Sequence, residues 1–151
     1  MIIINGITAA MPKTSRIDSK IKRNIMKINF FFSCFSKIFQ PSLEIILNNY
    51  FRLTFRSKYR AADIEPKKNS TVPGGLFEIS KSDEKKLDIY EDYPILYKKY
   101  YFLYEGKKVM TYTMTKKTPF RFPTERYLNV IKHGYKDCKL NIKYLEKALI
   151  E

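Results

Sequence analysis

Residues 97–115 carry the clearest patterning in the chain, YKKYYFLY and KVMTYTMT on either side of Glu105-Gly106-Lys107. Period-two alternation rich in aromatic and β-branched residues, interrupted by a glycine-containing turn, predicts a β-hairpin over 97–104 and 108–115. Its tyrosines suit strands with one wet face. Shorter runs predict further strands at 2–4, 51–57 and 74–79, the first ending at the turn pair Asn5-Gly6. Between the last two strands, EPKKNSTVPGG at 65–75 reads as a loop. Ser80 or Ser82 caps a helix with acids in its first turn. PTERYLNVI at 123–131 starts a second helix, ended by His133-Gly134. NIKYLEKALI at 141–150 forms a third, with Ile142, Leu145 and Leu149 on one apolar stripe. Residues 13–27 are basic and irregularly amphipathic, and 28–39 fit a strand or a helix equally well.

At 151 residues the expectation is one domain, long enough to bury a core. With 44% hydrophobic and 29% charged residues, the composition is that of a globular chain rather than a disordered one. The net charge of +14 is uneven: residues 1–62 hold 11 basic and 2 acidic side chains, and the remainder 18 and 13. Lysines and arginines over 13–37 are therefore expected on the surface, giving weak, salt-sensitive attraction to polyanions, although no nucleic-acid recognition motif accompanies them.

INFFFSCFSKIF at 28–39 is too short and too interrupted to span a bilayer, so no integral membrane segment is expected. MIIINGITAAM has no basic residue ahead of its short apolar run, which argues against a secretory leader and for a cytoplasmic location. Cys34 and Cys138 are too few for a disulfide scaffold and lack metal-ligand spacing; with His133 they offer only a weak Cys/His nucleophile pattern. No metal or cofactor site is expected.

LDIYEDYPILY at 87–97 places Glu91 and Asp92 in an otherwise mostly apolar run. Asp92-Tyr93-Pro94 has turn chemistry. The alternative is that one acid is held beside apolar walls, where its pKa would rise and it could move a proton near neutral pH.

From about Phe51 to Leu149 the chain resembles the gamma-glutamylcyclotransferase-like, or AIG2-like, family. Four pieces carry the resemblance in order: AADIEP at 61–66, TVPGGLFEIS at 71–80, LDIYEDYPILY at 87–97, and YLNVIKHGYKDCKLNIKYLEKAL at 127–149. The resemblance implies an α+β fold, a small mixed β-barrel with flanking helices, and a divergent amino-terminal third. It implies an intramolecular reaction, in which the α-amine of a small γ-glutamyl compound attacks its own γ-carbonyl to give 5-oxoproline and a free amine. It makes Glu91 the catalytic proton carrier, with Asp92 where the family has glycine, and Tyr97 and Tyr127 substrate-binding or Glu91-orienting residues. The family's glycine-containing amino-terminal loop falls on Asn5, Gly6, Ile7 and Thr8, whose backbone N–H groups would bind substrate. Two other functions remain open: a degenerate member that binds a ligand or protein without turnover, and a basic polyanion-binding protein.

Overall fold

The computed structural model describes residues 2–4, 44–47 and 51–150. Among them are strands β1 (Ile2–Ile4), β2 (Glu44–Leu47), β3 (Phe51–Thr54), β4 (Asp63–Pro66), β5 (Val72–Phe77), β6 (Tyr97–Tyr104) and β7 (Lys107–Met114). The helices are α1 (Lys81–Tyr90), α2 (Glu125–Asp137) and α3 (Lys143–Ala148).

The expected hairpin is β6–β7, antiparallel from Tyr97 opposite Met114 to Tyr104 opposite Lys107. Its loop is two residues rather than three. Glu105 and Gly106 have φ of 48° and 73°, the pair of left-handed conformations whose twist matches the flanking strands, so Lys107 joins the ladder. β7 also pairs in parallel with β1, and β1 with β5, giving a five-stranded sheet in the order β2-β5-β1-β7-β6. This central placement explains why residues 109–114 of β7 are buried on both faces.

β5 begins at Val72, inside the stretch that reads as a loop. Its partners on both sides, β2 from Leu47 opposite Val72 and β1 from Ile4 opposite Gly75, outweigh the poor strand propensity of Pro73, Gly74 and Gly75. At Gly75 a side chain would also be obstructed, since a Cβ there would lie 2.9 Å from the Cys138 sulfur. Residues 63–66, which the residue pattern does not mark as a strand, form β4, paired among the described residues only with β3.

The expectation of a β-barrel is overturned. The five-stranded sheet is open, and the β3–β4 ribbon stays a separate sheet. Where the ribbon meets β7, the bridge is a side chain: Asp63 Oδ1 accepts the Met114 N–H at 2.9 Å. A barrel closes only when backbone ladders continue around the whole circuit, and among the described residues the edge strands β2 and β6 are not paired with each other. The α+β content is retained.

Ribbon, sheet and helices share one apolar core, containing Leu53 and Ile64 of the ribbon, Met110 and Met114 of β7, Leu87 of α1, Ile131 of α2 and Leu145 of α3. Ser80 caps α1 by accepting the Asp83 N–H at 3.1 Å, and Thr124 caps α2 by accepting the Tyr127 N–H. α2 runs through His133-Gly134 and ends later. Lys139, at φ 55°, donates to Lys136 O, and Leu140 donates to Tyr135 O, the double bond that closes a helix at a left-handed residue. The buried Leu140 then fixes the exit of the chain. Of the expected stripe, Leu145 is buried and Leu149 packs against the core, whereas Ile142, at the cap of α3, is 37% exposed and Ala148 is buried in addition.

Candidate functional site

α1 delivers Glu91. Glu91 is the C-cap of the helix, its main-chain N–H donating to Leu87 O at 2.8 Å, and the residue is 0% exposed. The helix stops there because Asp92 takes a left-handed φ of 52° while Asp92 N–H bonds Ile89 O and Tyr93 N–H bonds Asp88 O. Asp92 is thus the residue of the turn, only half-buried, and Glu91 alone is held in the interior. A left-handed residue other than glycine costs about 1–2 kcal/mol, less for Asp than for most. Asp92→Gly is therefore expected to hold or raise stability, by up to about 1 kcal/mol once the greater freedom of an unfolded glycine is subtracted. Asp92→Val is expected to lose about 1–2 kcal/mol, β-branched side chains being worst in this region. Urea midpoints would decide, and equal midpoints for the Gly and Val variants would refute this account of the turn.

Tyr97, the first residue of β6, and Tyr127, in the first turn of α2, converge on the main chain of Ala62. Tyr97 donates its hydroxyl to Ala62 O at 3.3 Å, and Ala62 N–H donates to the Tyr127 hydroxyl oxygen at 3.1 Å. Ala62 is placed by a turn in which Arg60 N–H bonds Ser57 O and Ala61 N–H bonds Ser57 Oγ at 2.7 Å. Both phenols are buried, at 0% and 4% exposure. Burial is the largest cause holding both hydroxyls above the usual tyrosine range; the Ala62 N–H partly offsets it at Tyr127, and the charges of Glu91 and Asp63 add to it at both. Three residues singled out from the sequence, Glu91, Tyr97 and Tyr127, therefore occupy one interior cluster.

Three further participants are not marked by the sequence pattern. Tyr112 of β7 donates to Asp88 at 2.5 Å, and Asp88 also receives Lys99, tying α1 to the hairpin. Burial leads the causes that push the Tyr112 hydroxyl up, followed by Asp88, with Glu91 contributing. The third is Asp63, which pairs with Lys117 as well as with Met114 N–H. Adjacent Glu65 takes Arg52 Nε at 2.6 Å. The available signal was the acid pair in AADIEP, two charges in a segment otherwise apolar enough to be buried.

Burial raises the Asp63 pKa more than Lys117 and the Met114 N–H lower it. In the folded protein Asp63 therefore holds its proton to higher pH than in the unfolded chain, where its value is about 3.8. Above that value the folded state binds more protons, so stability from this group falls as pH rises through the raised pKa. Relative to Asp63→Asn, the wild type is expected to gain stability as pH is lowered from neutrality towards about 4. Chemical denaturation of both proteins across that range tests the sign, and a relative loss on acidification would contradict it.

Asn5, Gly6, Ile7 and Thr8 lie outside the described residues, as do Cys34 and the basic stretch 13–37. Ile4, just before them, ends β1 in the middle of the sheet; the register that sets Ile2 opposite Met110 carries Ile4 to the level of Tyr112. Burial and then the charge of Asp137 push the Cys138 thiol up to about 11, which disfavours a thiolate nucleophile. An open groove of about 450 Å³ is lined by Lys58, Thr118, Pro119, Phe120 and Arg121. It shares no lining residue with the Glu91 cluster and has no carboxylate to move a proton. Among the described residues, no cluster of three His, Cys, Asp or Glu is arranged to hold a metal, and no helix is long and apolar enough to cross a membrane.

The sequence model of the family described as gamma-glutamyl cyclotransferase, AIG2-like, matches residues 36–134. That span is more than half the chain, and the protein belongs to this family. The span includes Glu91, Tyr97 and Tyr127 and leaves out residues 5–8. No curated protein matches. Among solved structures, the crystal structure of YkqA from Bacillus subtilis is similar, with a TM-score of 0.55 at 22% identity, over 68% of this chain and 40% of that one. The likeness is one of fold, and this chain spans less than half the length of that protein.

Proposed function

We propose that the protein is a cyclotransferase acting on a small γ-glutamyl amide, with Glu91 as the proton carrier. The observation that carries this reading is the wholly buried Glu91, standing at the end of α1 in a cluster with Tyr97 and Tyr127. A carboxylate in an enclosed site can take a proton from a bound ammonium and return it to a leaving amine.

The substrate's α-ammonium gives a proton to the Glu91 carboxylate, and the freed amine attacks the γ-carbonyl carbon. The carbonyl π electrons move to oxygen as the new C–N bond closes the five-membered ring. When the carbonyl re-forms, the original amide C–N bond breaks and the leaving nitrogen takes the proton back from Glu91; the carboxylate then removes the second proton from the new ring nitrogen and passes it to the released amine, which leaves as an ammonium. The products are 5-oxoproline and an amine, with Glu91 restored. Because nucleophile and carbonyl share one molecule, most of the remaining work is holding the chain in a ring-closing pose. Tyr97 and Tyr127 bind the substrate or orient Glu91. The backbone N–H groups of Asn5, Gly6, Ile7 and Thr8, which follow directly on Ile4, would hold the developing oxyanion.

The complete covering of Glu91 and Tyr97 favours a second reading, a family member that binds a ligand or protein without turnover. Incubating the purified protein with a panel of γ-glutamyl amides and measuring 5-oxoproline separates the two. Release of 5-oxoproline and amine in equal amounts supports the enzyme; no product from folded protein across the panel leaves the binder.

A further inference from the structure

Two short stretches interleave cations with aromatic rings, Lys58-Tyr59-Arg60 and Phe120-Arg121-Phe122, and the fold brings them together. Main-chain bonds join the segments: Thr118 N–H donates to Arg56 O at 3.0 Å and Arg121 N–H to Phe55 O at 3.1 Å. The open groove of about 450 Å³ lies at this junction, lined by Lys58 and Arg121 and by the apolar Pro119 and Phe120. Phe120 meets Phe55 and Phe122 edge to face, each at 6.4 Å between centroids, and Phe122 brings its ring to the surface at 54% exposure. The acids of this neighbourhood already have cations of their own, Asp63 pairing with Lys117 and Glu65 with Arg52 and Arg56. Among the described residues, Lys58, Arg60 and Arg121 pair with no carboxylate, and Lys58 lies instead over the Tyr59 ring, 5.6 Å from its centroid.

We propose that this groove binds a single strand of nucleic acid, with Lys58 and Arg121 on its phosphates and Phe122 under a base. Cations without counter-charge attract an anion, and a polyanion above all, because binding releases its condensed counterions. The rings narrow the choice. A base offers a flat π-face to an exposed aromatic side chain whatever its sequence, and each base comes with a phosphate for a neighbouring cation. A duplex keeps those faces stacked inside, and an acidic peptide brings carboxylates with no ring required beside them. The groove shares no lining residue with the Glu91 cluster, so strand binding and cyclotransferase activity stand or fall independently.

Fluorescence anisotropy on the full chain, across a salt series, uses three labelled probes: oligothymidine, an abasic strand of the same length, and a peptide alternating glutamate and tyrosine. Phe122→Ala is expected to weaken oligothymidine about tenfold and leave the abasic strand unchanged, since only a base can stack. Phe122→Leu keeps an apolar contact to Phe120 without a flat ring, and it gives the same loss should the alanine variant fail to fold. Lys58→Gln and Arg121→Gln are each expected to flatten the slope of log affinity against log salt by about 0.7 for both strands, the amount set by one phosphate contact. The same change at Lys107, at the other end of β7 from the groove segment, should leave the slope as it is. Equal effects at Lys107 and in the groove overturn the proposal, and so does an equal response of both strands to Phe122→Ala. Tighter binding of the peptide than of oligothymidine also overturns it, making the occupant an acidic protein segment, as does the absence of oligothymidine binding at low salt.

Discussion

Glu91→Gln is expected to lower 5-oxoproline release by on the order of 10²-fold or more while the protein stays folded. Glutamine matches the shape of glutamate but cannot take a proton from the substrate ammonium, and the ammonium has no lone pair with which to attack. The Glu91 side chain sits at the end of α1, whose closing turn is made by the backbone of Asp92 and Tyr93, so the exchange leaves that turn intact. The exchange preserves the volume of the side chain, so the variant is expected to remain folded under the assay conditions. The measurement is product formation at saturating substrate alongside a melting curve. A Gln variant that turns over within about threefold of the wild type would remove Glu91 from the proton path, since general acid-base groups contribute at least about 10²-fold.

Ile131→Ala should cost about 2–5 kcal/mol of stability, the range for truncating a fully buried aliphatic side chain. Ile131 is buried midway between Tyr127 and Tyr135 on one face of α2, in the core shared with the ribbon, the sheet and the other helices. Its neighbour Val130 is 43% exposed, and Val130→Ala should stay within about 0.5 kcal/mol. The contrast tests which face of α2 carries the load, since both substitutions replace a β-branched residue by the better helix former alanine. Urea unfolding of the two variants gives the comparison; similar losses at both positions would mean that α2 is not seated on its Tyr127-Ile131-Tyr135 face. Because Tyr127 is one turn away on that face, the Ile131 variant should also bind the γ-glutamyl amide more weakly.

Local signals in the sequence determined those elements whose cause is local. The β6–β7 hairpin follows from alternation on both sides of Glu105-Gly106, and the first helix starts at Ser80, one of the two serines expected to cap it, because its side-chain oxygen accepts a first-turn N–H; the second helix, expected from Pro123, begins instead after the cap Thr124. The family was legible in the same way, because the pieces that carry it between 61 and 97 and from 127 onward are contiguous strings. Glu91, Tyr97 and Tyr127 came with those strings.

Tertiary structure alone decided what depends on partners distant in the chain. Val72 to Gly75 has the composition of a loop and becomes a strand because β1 and β2 flank it. α2 passes His133-Gly134 and stops at Lys139, where burial of Leu140 anchors the exit. The open strand order and the separate β3–β4 ribbon depend on pairings between distant segments, and the Asp63 carboxylate meets the Met114 N–H across 51 residues of sequence. The site shows the same division. Its residue types are visible in the sequence, but the link between its two phenols is made by Ala62, whose side chain carries no chemistry and whose main-chain N–H and C=O are the same groups every non-proline residue has. Only the fold brings Ala62 between Tyr97 and Tyr127 and makes those ordinary groups a bridge.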